Sequence, residues 1–291
     1  MTLGAVAAGG HLSQTAAMDP RKRFEQLVAA PDHEIPLAEA ALWIAAESRP
    51  GLDVDRWLEE LAMLAERIRP HLANAESDLQ RIQILNRILF EDEGFSGNSQ
   101  NYSDPLNSFL DAVLETRKGI PITLAIVYLE VAQRLGLLSA GVGFPGHFLV
   151  KVYTESGEII VDPFFGKILG SEECRDRLKQ LAGNEIELDP EMLKATPTRE
   201  ILQRVLRNLK MIYVAQKKFE SALACCDRII LLAGDELMEL RDRGVIYGQL
   251  GCFELALADL ERYLAYVPED PQSISLTEII RDLKVRAGQV H

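Results

Sequence analysis

Two side chains with acid–base chemistry stand on a pattern able to hold them together. His147 lies in Gly146-His147-Phe148-Leu149-Val150 and Asp162 in Val161-Asp162-Pro163. Val142, Phe144, Phe148, Val150 and Val152 alternate, Thr154 to Glu158 contains a glycine, and Ile159 to Val161 resume the apolar pattern. That spacing predicts a hairpin of two strands. If Tyr153 faces Glu158 across the turn, His147 faces Phe164 and shares a sheet face with Asp162, diagonally adjacent. A one-residue slip would separate the two. A histidine oriented by an aspartate is either a general base or a satisfied polar pair inherited as structure.

No thiol lies beside them in sequence. The four cysteines are Cys174, on the helix expected after the hairpin, and Cys225, Cys226 and Cys252 further on. Adjacent Cys225 and Cys226 do not readily bridge, and no pair has zinc-ligand spacing. The expectation is a reduced, cytoplasmic protein with no metal and no cofactor.

The elements that position this pair are mostly helical. From Pro20 to about Phe95, apolar residues recur at helix spacing, as in Trp57, Leu58, Leu61, Leu64 and Ile68. Ser77 and Asp78 are N-cap candidates for the run through Leu89. Gly94 to Asp104 is a polar loop, flexible by composition, and Glu91 to Asp104 could form a lid. A helix is predicted from Pro105 to Gly119, and a second from Pro121 to Gly136, apolar nearly all round and therefore buried. A further helix follows at about Ser171 to Leu181.

Beyond Arg199 the chain is helical and periodic. Leu206 and Leu240, Tyr213 and Tyr247, Phe219 and Phe253, and Ala222 and Ala256 share one 34-residue interval. That interval, with Tyr followed by Ala nine residues later, resembles the tetratricopeptide repeat. Gly244 and Pro268 stand where the repeat prefers glycine and proline, whereas the first repeat has Lys210 and Gly234. Two repeats fall short of the usual minimum, so residues 270–287 are expected to supply a closing helix.

The net charge of −13 is uneven: residues 199–291 hold 13 Lys/Arg and 14 Asp/Glu, and residues 1–198 hold 18 and 30. An acidic front half is repelled by phosphate backbones and anionic lipid, so neither nucleic acid nor membrane is an expected partner. No stretch reaches the roughly 18 apolar residues of a membrane span.

Arg117 to Asp162 resembles the core of the transglutaminase-like (papain-related) superfamily. In that family a Gly-x-Cys opens a buried helix, and two strands then supply a histidine and an aspartate. The helix N-terminus favours a thiolate, the histidine pairs with it, and the aspartate fixes the tautomer. Here the helix opens Gly119-Ile120-Pro121, so Pro121 occupies the cysteine position and His147 and Asp162 form a vestigial pair. Thr123 and Ser108 are the nearby hydroxyls, and a helix-interior threonine is usually structural.

Asn101 to Leu110, Arg117 to Ile122, Phe144 to Leu149 and Asp162-Pro163-Phe164 together resemble the SirB-type family. There a transglutaminase-like core is fused to tetratricopeptide repeats, and Gly-Ile-Pro is the usual helix start. The resemblance implies an α+β, predominantly helical fold: a transglutaminase-like domain with a small antiparallel sheet, then helical repeats. The expected division is a mobile tail (1–19), the helical segment and core (20–182), a linker (183–198) and two repeats with a closing helix (199–291). Asn101, Tyr102, Asn107, Arg117, His147 and Asp162 are expected to converge in a binding cleft. Three functions follow: a non-catalytic scaffold binding a protein or peptide through the repeat groove or the old cleft; a hydrolase or acyl-transferase of non-cysteine chemistry centred on His147 and Asp162; and a ligand-sensing regulatory subunit.

Overall fold

The computed structural model describes residues 19–182, 187–234, 236–267 and 273–289. The expected tail up to residue 18, the first residues of the expected linker and Pro268 lie outside them. The front half opens with α1 (Pro20–Val28), α2 (Leu37–Ser48), α3 (Val54–Ile68) and α4 (Asp78–Asn86), the last followed by a π-helical turn, Arg87–Asp92. Side chains of Asp19, Asp53 and Ser77 accept the free backbone N–H of Arg21, Arg56 and Gln80, which fixes three of these starts.

Short strands β1 (Ser96–Gly97) and β2 (Lys118–Gly119) pair in parallel and flank α5 (Leu110–Thr116). The helix expected from Pro105 to Gly119 is not continuous. Pro105–Ser108 is a 3₁₀ turn, Phe109 is extended, and Arg117 turns left-handed at φ 59°. At the break the Asn107 carbonyl accepts from the Thr123 hydroxyl at 2.7 Å, which ties the turn to the start of the next helix.

Helix α6 (Pro121–Arg134) begins on a proline that lacks only an N–H the helix would leave unpaired. Gly136, at φ 74°, takes the left-handed position just beyond it. Every residue from Pro121 to Tyr128 is buried, so this is the central helix the sequence predicts.

Strands β3 (Ser139–Val142), β4 (Leu149–Thr154), β5 (Gly157–Asp162) and β6 (Lys167–Leu169) form one antiparallel sheet in that order. Tyr153 pairs with Glu158, the expected register. The run from Val142 to Val152 is not one strand, however. The chain leaves β3 at Gly143 and turns through Gly146 at φ 63°, where the His147 N–H donates to the Phe144 carbonyl, before β4 begins. The expected hairpin is β4–β5, and β3 and β6 extend it to four strands. Both faces are covered: Val150, Val152 and Val161 join the main core with α6, and Leu149, Ile160 and Leu169 pack on Cys174 and Leu178 of α7 (Ser171–Ala182). Residues before the repeats close the sheet edge, Ala195 bridging Val142 and the Thr196 N–H donating to the Gly141 carbonyl at 2.8 Å.

The repeats comprise α8 (Thr198–Ala215), α9 (Phe219–Ala233), α10 (Leu237–Gln249), α11 (Phe253–Tyr266) and α12 (Ser273–Gln289). A Cβ at Gly244 would lie 2.7 Å from Leu260 Cγ, so the glycine permits the close α10–α11 approach. Lys210, at the equivalent place in α8, is buried and pairs with Glu239 at 2.6 Å and Asp242 at 2.7 Å on α10. Helix α8 is shared: Ile201, Leu202, Val205, Leu206 and Leu209 are buried in the same core as α2 and α6. Five such side chains, each contributing about 1.5–3 kcal/mol, bind the repeats to the front half. Arg228 adds an ion pair to Glu47. No helix among the described residues is long and apolar enough to cross a membrane.

Candidate functional site

Strand alternation decides where Asp162 points. Val161 faces the main core, so Asp162 turns to the opposite face, towards α7. It is fully buried. Its Oδ1 lies 3.0 Å from His147 Nε2 and accepts the backbone N–H of Phe164 at 2.9 Å and of Phe165 at 3.3 Å. Its Oδ2 meets the Arg177 guanidinium from α7. Burial pushes this carboxyl up, but His147, Arg177 and the Phe164 amide together outweigh it and hold the carboxyl below its ordinary range.

The imidazole is wedged among aromatics. Phe164 meets it edge-on at 6.0 Å and Phe165 stacks at 6.3 Å, while Tyr102 lies 6.2 Å from Phe164. Arg177 sits 5.2 Å over Phe165, which is 58% exposed; Tyr102 is 51% exposed. With Nε2 on Asp162, Nδ1 has no partner among the described residues. The loop carrying His147 is tied from the repeats: Arg204 of α8 donates from Nη2 to the His147 carbonyl at 2.7 Å.

The start of α6 reaches this pair only indirectly. The Asn98 N–H donates to the Gly119 carbonyl at 2.9 Å, and the Gly97 N–H to the Phe164 carbonyl at 3.0 Å. Contacts therefore run from Gly119 through β1 and Phe164 to His147. At the helix start Thr123 is consumed locally: its hydroxyl donates to Asn107 and accepts the Ile120 N–H at 3.2 Å. Ser108 is buried with its hydroxyl unpartnered among the described residues. Burial pushes the Cys174 thiol up, with Arg177 only partly opposing, and pushes Cys225 up to about 12. Neither thiol is in the electropositive, exposed setting that activates a cysteine.

The six residues expected to converge are distributed more widely. His147 and Asp162 touch, and Tyr102 joins them through Phe164. Asn107 is buried, accepting from Asn98 and donating to the carbonyls of Asn101 and Tyr102, so it knits the loop together. Asn101 binds Asp104 at 3.0 Å. These bonds pin a segment whose composition suggested a flexible lid. Arg117 lies with Glu60, Glu93 and the Phe95 ring, and none of its recorded partners belongs to the His147 group. Sequence reasoning missed Arg177 and Arg204, because both sit on amphipathic helices where an arginine reads as solvated surface. Among the described residues, no three His, Cys, Asp or Glu side chains gather as a metal site.

A second feature lies on the repeats. Lys210, Met211, Val214 and Ala215 of α8, Arg241, Asp242, Val245 and Ile246 of α10, and Leu276 and Ile279 of α12 line a groove of about 540 Å³. Met211 is 69% exposed there.

A buried helix opened by Gly-Ile-Pro, a His–Asp pair on a following sheet and helical repeats define a transglutaminase-like core joined to tetratricopeptide repeats. A family profile described as transglutaminase-like superfamily matches residues 55–207, and one described as tetratricopeptide repeat matches 209–281. The chain is 39% identical over 272 residues to a UPF0162 protein of Xylella fastidiosa, covering 92% of this chain and 97% of that one. It is 35% identical over 267 residues to a UPF0162 protein of Pseudomonas aeruginosa, covering 91% and 97%. With the UPF0162 protein YchA of Escherichia coli the identity is 32% over 255 residues, covering 86% and 91%. The chain thus belongs to the UPF0162, or SirB-type, family of transglutaminase-like proteins with tetratricopeptide repeats. No solved structure matches it.

Proposed function

We propose that this protein is a non-catalytic scaffold whose repeat groove holds a peptide segment of a partner protein. The observation that carries this reading is the groove on α8, α10 and α12: exposed Met211, Val214 and Ile279 sit beside the charged Lys210, Arg241 and Asp242. Apolar anchors with a few charged groups suit an amphipathic segment, and tetratricopeptide repeats generally mediate protein interactions. The site supports the non-catalytic half. Pro121 offers neither thiol nor hydroxyl, Thr123 is engaged, and Asp162 is committed to Arg177 as well as to His147.

The test uses the whole chain, because cutting at residue 199 would strip α8 of the core it shares. Partners captured by the wild-type chain are identified, and the segment of the partner that binds is titrated against wild type and Met211→Asp/Val214→Asp. Both positions are exposed, so the fold should tolerate them. Affinity should fall at least roughly tenfold, as for loss of two apolar anchors; unchanged affinity would remove the groove from the function.

The unpartnered Nδ1 of His147 favours one competing reading, hydrolysis or acyl transfer with His147 as base. Turnover on a peptide and amide panel that disappears in His147→Ala would establish it over the scaffold reading.

A further inference from the structure

A polar cleft of about 820 Å³ lies between the front half and the repeats, apart from the repeat groove and joined to the His147 loop through Arg204. It is lined by Gly143, Thr196, Glu200, Gln203, Arg204 and Arg207, among others. Its charges are of two kinds. Arg207 is already neutralised by Glu236 at 2.6 Å and Glu239 at 3.3 Å, and Lys194 by Glu191 at 2.6 Å. Arg204 has no carboxylate partner among the described residues: Nη2 donates to the carbonyls of His147 and Phe144, and the guanidinium sits 5.4 Å over Phe148. Its Nε and Nη1 donate to no described residue, and Nη1 stands over Gly143, where a Cβ would approach to 3.5 Å. Burial also pulls this guanidinium down from its ordinary range, the mark of a cation short of a counter-charge.

Two further groups point to a ligand. Gln203 is only 7% exposed, lines the cleft, and its amide makes no hydrogen bond with any described residue. The side chain is largely buried while its amide still opens on the cleft, where a bound polar group can take the place of water. The Thr196 hydroxyl accepts the Gly143 N–H at 2.7 Å, which leaves its own proton free to donate. Donors from Arg204, Gln203 and Thr196 in one cleft suit a carboxylate. One turn before Arg204 on α8, the exposed Glu200 has no basic partner among the described residues and supplies an acceptor for a cation.

We infer that the cleft binds a small zwitterion, a free amino acid or short peptide, with its carboxylate on Arg204, Gln203 and Thr196 and its ammonium towards Glu200. One free cation and one free anion match a zwitterion and leave a dianionic phosphate undercompensated. The site is distinct from the repeat groove, and neither reading depends on the other.

Calorimetric titration of the full chain with glycine, triglycine, acetate and inorganic phosphate tests this. Glycine or triglycine should bind saturably, and acetate and phosphate at least roughly tenfold more weakly. Arg204→Gln should weaken that binding about tenfold or more. Because Arg204 also holds a loop, two gentler variants keep the test decisive. Gln203→Leu preserves volume and should weaken the zwitterion at least about threefold, and Glu200→Gln, at an exposed position, should weaken it while leaving acetate unchanged. No saturable binding, phosphate or acetate binding as tightly as triglycine, or affinity unchanged in both Gln203→Leu and Glu200→Gln would each overturn the assignment.

Discussion

Arg204, on the first helix of the repeats, donates to the main-chain carbonyl of His147 at 2.7 Å, across 57 residues of sequence. One side chain therefore couples the repeats to the loop that presents the imidazole. Arg204→Lys keeps the charge but loses the guanidinium Nη2 that donates to both carbonyls. Loss of a charge-assisted bond of about 1.5–3 kcal/mol should raise amide exchange in residues 143–148 by at least about tenfold, without a matching change in α6. Exchange rates equal to wild type there would show that the β3–β4 turn holds itself.

Asp162 is bound by His147, Arg177 and two backbone amides. Asp162→Asn leaves Arg177 without its counter-charge inside the fold. About 3 kcal/mol of stability should be lost, towards the low end for buried pairs because Arg177 is partly exposed. The acid limb follows from the sign of the shift. The folded carboxyl lies below its unfolded value of about 3.9, so its contribution is present above that pH and disappears as pH falls through the folded value. Wild type should therefore lose stability more steeply than Asp162→Asn below about pH 4, which acid titration of the denaturation midpoint will read.

Much of this was open to sequence reasoning, and the failures have identifiable causes. The Tyr153–Glu158 register follows from the turn, and a two-residue period then fixes the face of Asp162; His147 meets it from the turn before β4, which the alternation did not reveal. The repeats were legible because a 34-residue interval is a property of sequence alone. What composition does not reveal is the partner of an isolated charge. Arg117 sits beside the Gly-Ile-Pro stretch, yet its left-handed backbone turns it to Glu60 and Glu93. The polar stretch after Gly94 reads as a flexible lid until Asn98 and Asn107 are seen bonded to each other.

Lys210 shows the same limit from the other side. Where the second repeat packs through Gly244, the first inserts a buried lysine matched to Glu239 and Asp242. Lys210→Met should cost roughly 3 kcal/mol, the low end for a broken buried pair, since it leaves Glu239, 2% exposed, with only the longer Arg207 contact at 3.3 Å. Adding Glu239→Leu removes that under-compensated buried charge and should restore part of the loss. Chemical denaturation of the single and double variants measures the difference, and a double variant no more stable than the single would contradict the pairing.

Gly97 offers the last test, of the path from the start of α6 to His147. Its backbone is not left-handed, so alanine carries no conformational penalty there. The obstacle is steric: a Cβ would overlap the Phe164 ring, whose other side meets His147 edge-on. The ring cannot move freely, because Phe165 packs on it at 5.0 Å and Gly97 holds the Phe164 carbonyl. Gly97→Ala should therefore destabilise by about 1–3 kcal/mol, the usual range for overpacking. It should also shift the His147 ring resonances, since Phe164 is one of the two aromatic rings packed on the imidazole. Lost stability with unmoved His147 resonances would mean that β1 yields instead of the ring, and the path from Gly119 to the imidazole would end at Gly97.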